Sequence, residues 1–209
     1  MYKIILDEIK NKNVLELGAN IGDITDQILD MSPSMIFVNE IDNDFIDTLR
    51  KRFSLVPNIK ICKFDLFLND QYPKETIDTI IIKEIINAFE LTEYEKILKE
   101  PVKKLSQGGS IVVIDYLPGI HFRQLIFSCL RQPFYIFTHF KRYFYSLKFK
   151  PQLNFEKLKF MFPIDEFDIC FLSNIDPLNK YDSKLHKLIE KIYPMKYLFI
   201  AKKKYEQLK

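Results

Sequence analysis

The sequence predicts an α/β fold built on a doubly wound, mostly parallel sheet. Between residues 13 and 115, short apolar runs of strand length alternate with stretches whose apolar residues recur at helical spacing. Strands that alternate with helices in this way join through right-handed crossovers into a parallel sheet. Acidic residues lie in or just beyond four of the runs, at Glu16, Glu40, Asp65 and Asp115. Because ligands bind at the carboxyl ends of such strands, the acids predict a site at that edge.

Size and composition suit a single domain over 1–209. The chain has 209 residues, of which 47% are hydrophobic, enough for a substantial core. Its three cysteines are odd in number and lack metal-ligand spacing, so we expect neither a disulfide framework nor a metal centre. A reducing, cytoplasmic setting follows from this cysteine usage. The N-terminal residues are unlike a secretory signal, and no uncharged apolar run reaches membrane-spanning length.

The first strand, 14–17, follows a short helix predicted within residues 1–12. Gly18 and Gly22 then break the apolar pattern, and apolar residues resume at helical spacing from Ile24. Glycine lets the backbone turn tightly and approach a ligand closely. The helix that follows presents free N–H groups in its first turn. We therefore predict a strand, a glycine turn and a helix.

The later elements follow from the same periodicities. Further strands are predicted at 35–39, 58–64, 76–82 and 110–114. Further helices are predicted at 44–53 and 93–105. We expect Gly108 and Gly109 to close the second of these helices. Two late apolar runs, 167–172 and 196–201, predict strands, with a helix between them around 185–192.

Residues 13–25, N-V-L-E-L-G-A-N-I-G-D-I-T, resemble the first motif of class I S-adenosylmethionine-dependent methyltransferases. That motif has an acid followed by glycines two, four and six residues later, here Glu16, Gly18, Asn20 and Gly22. Asn20 departs from the usual glycine, but asparagine tolerates a left-handed backbone. Dinucleotide-binding folds use a similar turn, so the motif alone leaves both cofactor classes open.

A second stretch, 105–118, strengthens the resemblance. Its sequence, L-S-Q-G-G-S-I-V-V-I-D-Y-L-P, is similar to the glycine pair and fifth strand of the family, most closely in its small-molecule and quinone-type branch. The resemblance extends over about residues 10–118 and loosely over the last strands. It implies a seven-stranded sheet whose last strand is antiparallel, with S-adenosylmethionine as the cofactor.

The resemblance also implies roles for the acids at the strand ends. Glu40 would hold the ribose hydroxyls, with Asp42 as the competing candidate. Asp65 would accept a hydrogen bond from the adenine amino group, or else serve as a helix N-cap. Ile41 and Phe64 would flank the ring. We also place Glu16 and Leu66 in the cofactor site, where Glu16 would orient the loop and reach the cofactor's amino group through water.

The residues after the fourth strand would face the methyl group and the acceptor. We predict that Lys83 contacts the cofactor and that Glu84 is catalytic, with a pair of surface charges as the alternative. Asn87 follows them. The sequence here, I-I-I-K-E-I-I-N-A-F, lacks the N/D-P-P-Y/F tetrad of amino-directed nucleic-acid methyltransferases, which counts against methylation of an exocyclic base nitrogen. The run V-N-E-I-D is nevertheless similar to one in the RNA adenine dimethylases.

A basic aromatic stretch follows the fifth strand. From 116 to 155 there is no Asp or Glu, and six cations occur: Arg123, Arg131, Lys141, Arg142, Lys148 and Lys150. Without these six the net charge of +3 becomes −3, so the charge of the chain is segregated. Aromatic residues are interleaved with the cations, and Pro133 divides the stretch into two predicted helices.

Four interpretations of the basic aromatic stretch compete. We favour a lid insertion, 119–160, above the carboxyl edge of the sheet. The same stretch, through 120–150, suits contact with an anionic membrane, with apolar side chains inserted and cations at the headgroups. A nucleic-acid surface and a helical pair that fills core are the other two. We expect a small-molecule or lipid-like partner rather than nucleic acid.

These observations predict a methyltransferase that acts on a small-molecule or lipid-like acceptor without a metal. His121 has a pKa in the useful range for a general base, although a structural role is its alternative. Tyr116 and Asp115 are other catalytic candidates. Two other functions stay open: a nucleic-acid methyltransferase of the ribosomal RNA type, and a cofactor-binding scaffold without catalysis. We expect a cytoplasmic protein that can associate with membranes.

Overall fold

The computed structural model describes residues 3–68, 71–85, 89, 91–116, 155–173 and 196–205. Within them, seven strands form one sheet: β1 Asn13–Leu17, β2 Met35–Asn39, β3 Ile59–Cys62, β4 Ile77–Lys83, β5 Leu105–Tyr116, β6 Phe167–Ser173 and β7 Lys196–Lys203. Their order across the sheet is β3-β2-β1-β4-β5-β7-β6. Strands β1 to β5 pair in parallel, whereas β7 runs antiparallel to both β5 and β6. The predicted mostly parallel, seven-stranded fold is confirmed.

Five helices among the described residues accompany the strands: α1 Lys3–Ile9, α2 Asp23–Leu29, α3 Asn43–Arg52, α4 Leu91–Val102 and α5 Phe155–Met161. The bounds of α3 follow from its sequence. Asp42 caps its N-terminus by accepting hydrogen bonds from the backbone N–H groups of Asp44 and Phe45, and cations occupy its last turn. The helix predicted around 185–192 lies outside the described residues.

The central strands contribute to hydrophobic clusters on both faces of the sheet. In β1, Val14 belongs to one cluster and Leu15 to the other; in β4, Ile81 and Ile80 divide in the same way. Successive side chains of a strand point to opposite faces, so an almost wholly apolar strand packs on both sides. Glu16 therefore shares a face with Val14, the face that α2 covers.

The glycine pair differs from its prediction. We expected Gly108 and Gly109 to close a helix over 93–105, but α4 ends at Val102 and both glycines lie inside β5. The pairing of β4 with β5 shifts register at this point, as at a bulge. A Cβ on Gly109 would lie 2.9 Å from the backbone oxygen of Asp78, so the close approach of the two strands requires glycine there.

Helix α5 lies at the end of the range predicted as a lid, 119–160. Its Leu158 is fully buried in the core, and Phe162, just beyond the helix, packs its ring 5.4 Å from that of Phe199. The last part of this range therefore contributes to the core of the sheet domain. Residues 117–154 lie outside the described residues, so the lid stays a prediction.

Candidate active site

The turn between β1 and α2, here called the glycine bend (Gly18–Gly22), has a left-handed backbone at three of its positions. The φ angles are +66° at Gly18, +54° at Asn20 and +90° at Gly22. The backbone N–H of Gly22 closes the bend by donating to the carbonyl oxygen of Ala19 at 2.9 Å. Asparagine thus adopts the conformation that the sequence requires of it, and the bend leads directly into α2.

Neighbouring side chains occupy the space that a Cβ would need at both glycines of the bend. A Cβ on Gly18 would lie 2.6 Å from Cδ1 of Ile85, which follows β4. A Cβ on Gly22 would lie 2.5 Å from the ring of Phe53 and 2.8 Å from Leu49, both at the end of α3. The bend is therefore packed from two sides: a side chain at either glycine would strain the left-handed backbone and force these neighbours to shift.

Glu40, immediately after β2, binds the glycine bend directly. Its Oε2 accepts a hydrogen bond from the backbone N–H of Asn20 at 2.8 Å. Its Oε1 accepts from the backbone N–H groups of Ile41 at 2.7 Å and Asp42 at 3.1 Å. The residue is 8% exposed. A nearly buried carboxylate is thus fixed by three backbone donors at the carboxyl edge of the sheet.

Asp42, the competing candidate for the ribose, has a different place. Its Oδ1 accepts from the backbone N–H of Asp44 at 2.8 Å and caps α3. Its carboxylate therefore faces the first turn of the helix, whereas that of Glu40 faces the bend. Of the two acids, Glu40 is therefore the one that contacts the glycine bend.

Asn39 links the bend to β3. Its carbonyl oxygen accepts from the backbone N–H of Ala19 at 2.9 Å, and its side-chain Nδ2 donates to the carbonyl oxygen of Phe64 at 2.9 Å. The side chain is buried. The ends of β1, β2 and β3 are therefore tied into one edge, with Asp65 next to the residue that Asn39 holds.

Asp65 sits in a turn rather than at a helix N-terminus. Its Oδ1 accepts from the backbone N–H of Phe67 at 2.9 Å, and its own N–H donates to Oε1 of Gln71 at 3.3 Å.

Two apolar residues predicted to contact the cofactor, Ile41 and Leu66, differ in accessibility. Ile41 is 57% exposed beside Glu40, and Leu66 is half-buried.

Phe64 is not available to flank a ring. It is 2% exposed and packs against Tyr72, with ring centroids 4.6 Å apart. The predicted pair of ring-flanking residues, Ile41 and Phe64, is therefore not reproduced, because Phe64, just beyond β3, packs into the core. Ile41 is the member of that pair with a free apolar surface.

Glu16 is buried behind the bend. Its Oε2 accepts a hydrogen bond from the hydroxyl of Thr25, in α2, at 2.6 Å. Burial raises its pKa from 4.5 to about 7, while the Thr25 hydrogen bond and the charge of Lys83 oppose that rise. The carboxyl group of Glu16 thus titrates near neutrality, far above an exposed glutamate.

The end of β4 turns sharply at Lys83–Ile85, here called the β4 turn. Glu84 has a φ of +57°, unusual for a residue with a side chain, and its backbone N–H donates to the carbonyl oxygen of Ile114 in β5 at 2.9 Å. Nζ of Lys83 lies 4.0 Å from Oε1 of Glu84, and the Lys83 side chain is 14% exposed. The β4 turn thus places a Lys–Glu pair at the same edge as Glu40.

Three predicted residues cannot be placed at this site. His121 and Asn87 lie outside the described residues, as does the side chain of Tyr116, whose backbone ends β5. The basic aromatic stretch also falls outside them, apart from its two terminal residues. The catalytic roles predicted for His121 and Tyr116 stay predictions.

The sequence reasoning missed several residues that shape the edge. Thr25 and Asn39 are polar residues with apolar residues close by in the sequence. Because buried polar groups are hydrogen-bonded, this pattern could have predicted that both bind polar groups at the carboxyl edge of the sheet. Arg52 donates from Nη1 to the carbonyl oxygen of Ile21 at 2.6 Å and to Oδ1 of Asp23 at 2.9 Å, across the outside of the bend. The sequence carries no signal for this contact, because it joins elements 31 and 29 residues apart.

The residues at this edge fit a nucleoside cofactor such as S-adenosylmethionine. An ionised carboxylate has about four acceptor positions, and Glu40 uses three for backbone N–H groups, which leaves capacity for a ribose hydroxyl. Ile41 offers an apolar surface beside it. The glycine bend lets a ligand approach the backbone closely.

Neither a metal-binding cluster nor a membrane-spanning helix occurs in the described part of the chain. It contains no group of three His, Cys, Asp or Glu side chains arranged to hold a metal ion, and metal independence stays a prediction. None of its helices is long and apolar enough to cross a membrane.

Comparison with known proteins gives a family match over most of the chain. Residues 2–145 match the family described as ribosomal RNA adenine dimethylase. A curated relative, ribosomal RNA small subunit methyltransferase A of Sulfurihydrogenibium sp. (strain YO3AOP1), is 35% identical over 66 residues, or 30% of this chain. The matched part covers 26% of the relative, so it represents about a quarter of that protein.

Solved structures with the same fold are methyltransferases of low sequence identity. An S-adenosylmethionine-dependent methyltransferase from Mesorhizobium loti superposes with a TM-score of 0.67, 14% identity and coverage of 96% of this chain and 95% of that one. The N-methyltransferase NodS from Bradyrhizobium japonicum WM9, in complex with S-adenosyl-L-homocysteine, gives 0.60, 13%, 98% and 86%. At these identities the likeness establishes the fold.

The family match corrects one prediction. The expectation of a partner other than nucleic acid is wrong, because residues 2–145 match a family that is described by its ribosomal RNA substrate. The curated relative is likewise a ribosomal RNA methyltransferase. Both matches favour the nucleic-acid alternative over the small-molecule and quinone-type branch. The composition of the basic aromatic stretch was compatible with both, so it could not decide between them.

Proposed function

The chain belongs to the ribosomal RNA adenine dimethylase family of S-adenosylmethionine-dependent methyltransferases, and from this premise we propose that it methylates ribosomal RNA. The observation that carries the proposal is the family match over residues 2–145, which contains the whole candidate edge from β1 to β5. The geometry of that edge supports it, since the glycine bend, Glu40 and the turn at Asp65 are tied together by hydrogen bonds.

We propose specific roles for the residues that hold the cofactor. Glu40 accepts a hydrogen bond from a ribose hydroxyl, since ionised acceptors make the stronger bonds. Asp65 accepts from the adenine amino group, and Ile41 and Leu66 contact the ring. Lys83 lies at the end of β4, where the methyl group and the acceptor meet.

The glycine bend completes the proposed cofactor site. Gly18, Asn20 and Gly22 let the backbone approach the ligand, and Glu16 lies behind the bend toward the cofactor's amino group. Glu16 is held by Thr25 and reaches that group through water. These assignments are supported by the hydrogen bonds and φ angles of the edge.

The protein contributes mainly alignment. The bound cofactor supplies a methyl group that its sulfonium already activates. Holding the acceptor in line with that group removes an entropic cost of about 7–11 kcal/mol at best. The rigid hydrogen bonding of Glu40 and the close packing of the glycine bend suit this task, because they fix the edge on which the cofactor rests.

The charge of the chain supports an RNA substrate. The basic aromatic stretch carries six cations and no acid, interleaved with aromatic residues. Cations bind the phosphate backbone, and aromatic rings stack on unpaired bases. Most of the stretch lies within the family match, and we propose that it contacts the RNA.

The residues at the β4 turn bear on which RNA atom is methylated. Lys83, Glu84 and Ile85 stand where amino-directed nucleic-acid methyltransferases carry their N/D-P-P-Y/F tetrad. A second candidate is therefore methylation of an RNA atom other than an exocyclic base nitrogen. We propose that Glu84 faces the acceptor, since an oxygen acceptor needs a base and a carboxylate can accept a proton.

The proposal is tested with unmodified ribosomal RNA, free and in small ribosomal subunits. The protein and S-adenosylmethionine labelled on the methyl carbon are incubated with each, and the RNA is digested to nucleosides for mass spectrometry. We expect label in one nucleoside, lost with Glu40→Ala. Label in N6-methylated adenosine would support the adenine reading, and label in another nucleoside the second candidate. A protein that binds S-adenosyl-L-homocysteine but labels neither substrate contradicts the proposal.

A further inference from the structure

The β4 turn packs against the glycine bend through Ile85. A Cβ added to Gly18 would lie only 2.6 Å from Cδ1 of Ile85 and 3.0 Å from its Cγ1. Ile85 is half-buried and packs against one of the two core clusters. The side chain of Ile85 therefore fills the space beside Gly18 that a side chain on Gly18 would need.

The strands fix the β4 turn from the other side. Lys83 pairs with Ile114 in the parallel ladder between β4 and β5, and the next N–H, that of Glu84, donates to the carbonyl oxygen of Ile114 at 2.9 Å. Glu84 keeps a left-handed φ of +57°. Such a conformation persists in a residue with a side chain only where the surroundings hold it, and here it directs Ile85 toward Gly18.

The same turn also acts on β1 through the charge of Lys83. The side chain of Lys83 is 14% exposed, and its charge favours the ionised form of Glu16. Glu16 lies in β1, two residues before Gly18, and accepts the Thr25 hydroxyl that joins β1 to α2. The β4 turn thus acts on the strand before the bend through Lys83 and on the bend itself through Ile85.

We propose that Ile85 is a positioning residue for cofactor binding: by packing on Gly18 it holds the glycine bend in its binding shape. It thereby couples the acceptor side of the edge to the cofactor side. The inference rests on the proposed cofactor site at the bend and is independent of RNA as the acceptor. Ile85 acts through Gly18 and is not assigned a contact with the reacting atoms.

The test measures binding of S-adenosyl-L-homocysteine by titration calorimetry. Ile85→Ala is expected to raise the Kd about tenfold, because the bend loses the side chain that supports it. The matched control is Ile169→Ala, which removes an equally half-buried isoleucine from β6, away from the bend. We expect its Kd to stay within about twofold of the original.

Two further variants separate positioning from a general loss of stability. Ile85→Leu keeps the volume and should restore the Kd to within about threefold, with thermal melting recorded for every variant. Gly18→Ala alone should weaken binding strongly, and in the double variant with Ile85→Ala the two effects should not multiply, because the clash has gone.

The outcomes are distinct for the two proposals. An unchanged Kd for Ile85→Ala in a folded protein, or equal losses for Ile85→Ala and Ile169→Ala, overturns the positioning role. If Ile85→Ala does not fold, Ile85→Val, which removes the Cδ1 nearest to Gly18, replaces it with the same expected direction. Failure to methylate ribosomal RNA would refute the acceptor assignment and leave these binding results intact.

Discussion

Oε2 of Glu40 accepts a hydrogen bond from the backbone N–H of Asn20 at 2.8 Å, and this bond joins the end of β2 to the glycine bend. It spans 20 residues of sequence and two neighbouring strands. The left-handed backbone of Asn20 is what presents its N–H within this bond. The carboxylate therefore shapes the bend, and in the proposed site it also binds the cofactor, so its loss should affect both.

Glu40→Ala is expected to weaken binding of S-adenosyl-L-homocysteine by about 10- to 100-fold. The substitution removes charged hydrogen bonds worth about 1.5–3 kcal/mol each and releases the bend that they hold. Titration calorimetry at fixed salt measures the effect. The structure predicts a further effect, weaker protection of the Asn20 amide, because hydrogen exchange at that N–H should become faster when its acceptor is removed.

Asp42→Asn is the matched control for Glu40. It changes a neighbouring acid to its amide, and asparagine caps a helix about as well as aspartate, so α3 should keep its N-terminus. We expect cofactor affinity within about twofold of the original protein. If Asp42→Asn lost as much affinity as Glu40→Ala, the assignment of the ribose to Glu40 would be wrong.

The sequence predicted strand β2 to the residue: its predicted bounds, 35–39, are those observed. The parallel pairing of β1 to β5 also followed from the alternation of strands and helices, whereas the order of the strands across the sheet was not predicted. The prediction failed at Gly108 and Gly109, because a glycine pair after a helix and a glycine pair in a bulge look alike in sequence. The difference lies in the approach of β4, a contact distant in the chain.

The candidate site was predictable where roles depend on local order and not where they depend on packing. Spacing along the chain predicted Asn20 and Glu40 as members of one site, and a hydrogen bond joins them in the structure. Ile85 was not, because its contact with Gly18 is created by the left-handed turn at Glu84. The expectation of a partner other than nucleic acid failed for a different reason: composition cannot tell a basic aromatic surface for lipid from one for RNA.

Gly22→Ala is expected to lower the free energy of unfolding by about 1–3 kcal/mol. The backbone there has a φ of +90°, and the new Cβ would meet Phe53 and Leu49. Urea unfolding followed by circular dichroism measures the loss. Adding Phe53→Leu should recover part of it by making room, while the backbone strain remains. A Gly22→Ala variant as stable as the original protein would contradict the packing described.

Arg52→Lys should be destabilising although it keeps the charge. The guanidinium binds the carbonyl oxygen of Ile21 together with the carboxylates of Asp23 and Asp26, an arrangement that a single ammonium cannot reproduce. We expect a loss of about 1 kcal/mol in the free energy of unfolding, smaller at high salt, since the group is partly exposed.

The control for Arg52 is Arg50→Lys on the same helix. Arg50 makes one exposed ion pair with Asp47 at 3.5 Å, so its replacement should change stability by less than about 0.5 kcal/mol. Urea unfolding of both variants at low and high salt makes the comparison. Equal effects of the two substitutions would show that the contacts of Arg52 across the bend do not stabilise the fold.

The raised pKa of Glu16 should make the free energy of unfolding depend on pH. Burial raises its pKa to about 7 in the folded protein, against 4.5 ordinarily. Between these values the folded state keeps a proton that the unfolded state has released, so the free energy of unfolding falls as the pH rises. The fall attributable to Glu16 is about 3 kcal/mol, complete above pH 7.

Glu16→Gln tests this dependence, because the amide oxygen can still accept a hydrogen bond from the Thr25 hydroxyl but the side chain cannot titrate. Urea unfolding from pH 4.5 to 8 should therefore show a shallower dependence for Glu16→Gln, and the variant should be the more stable protein at pH 8. Parallel curves for the two proteins would place the titrating group elsewhere.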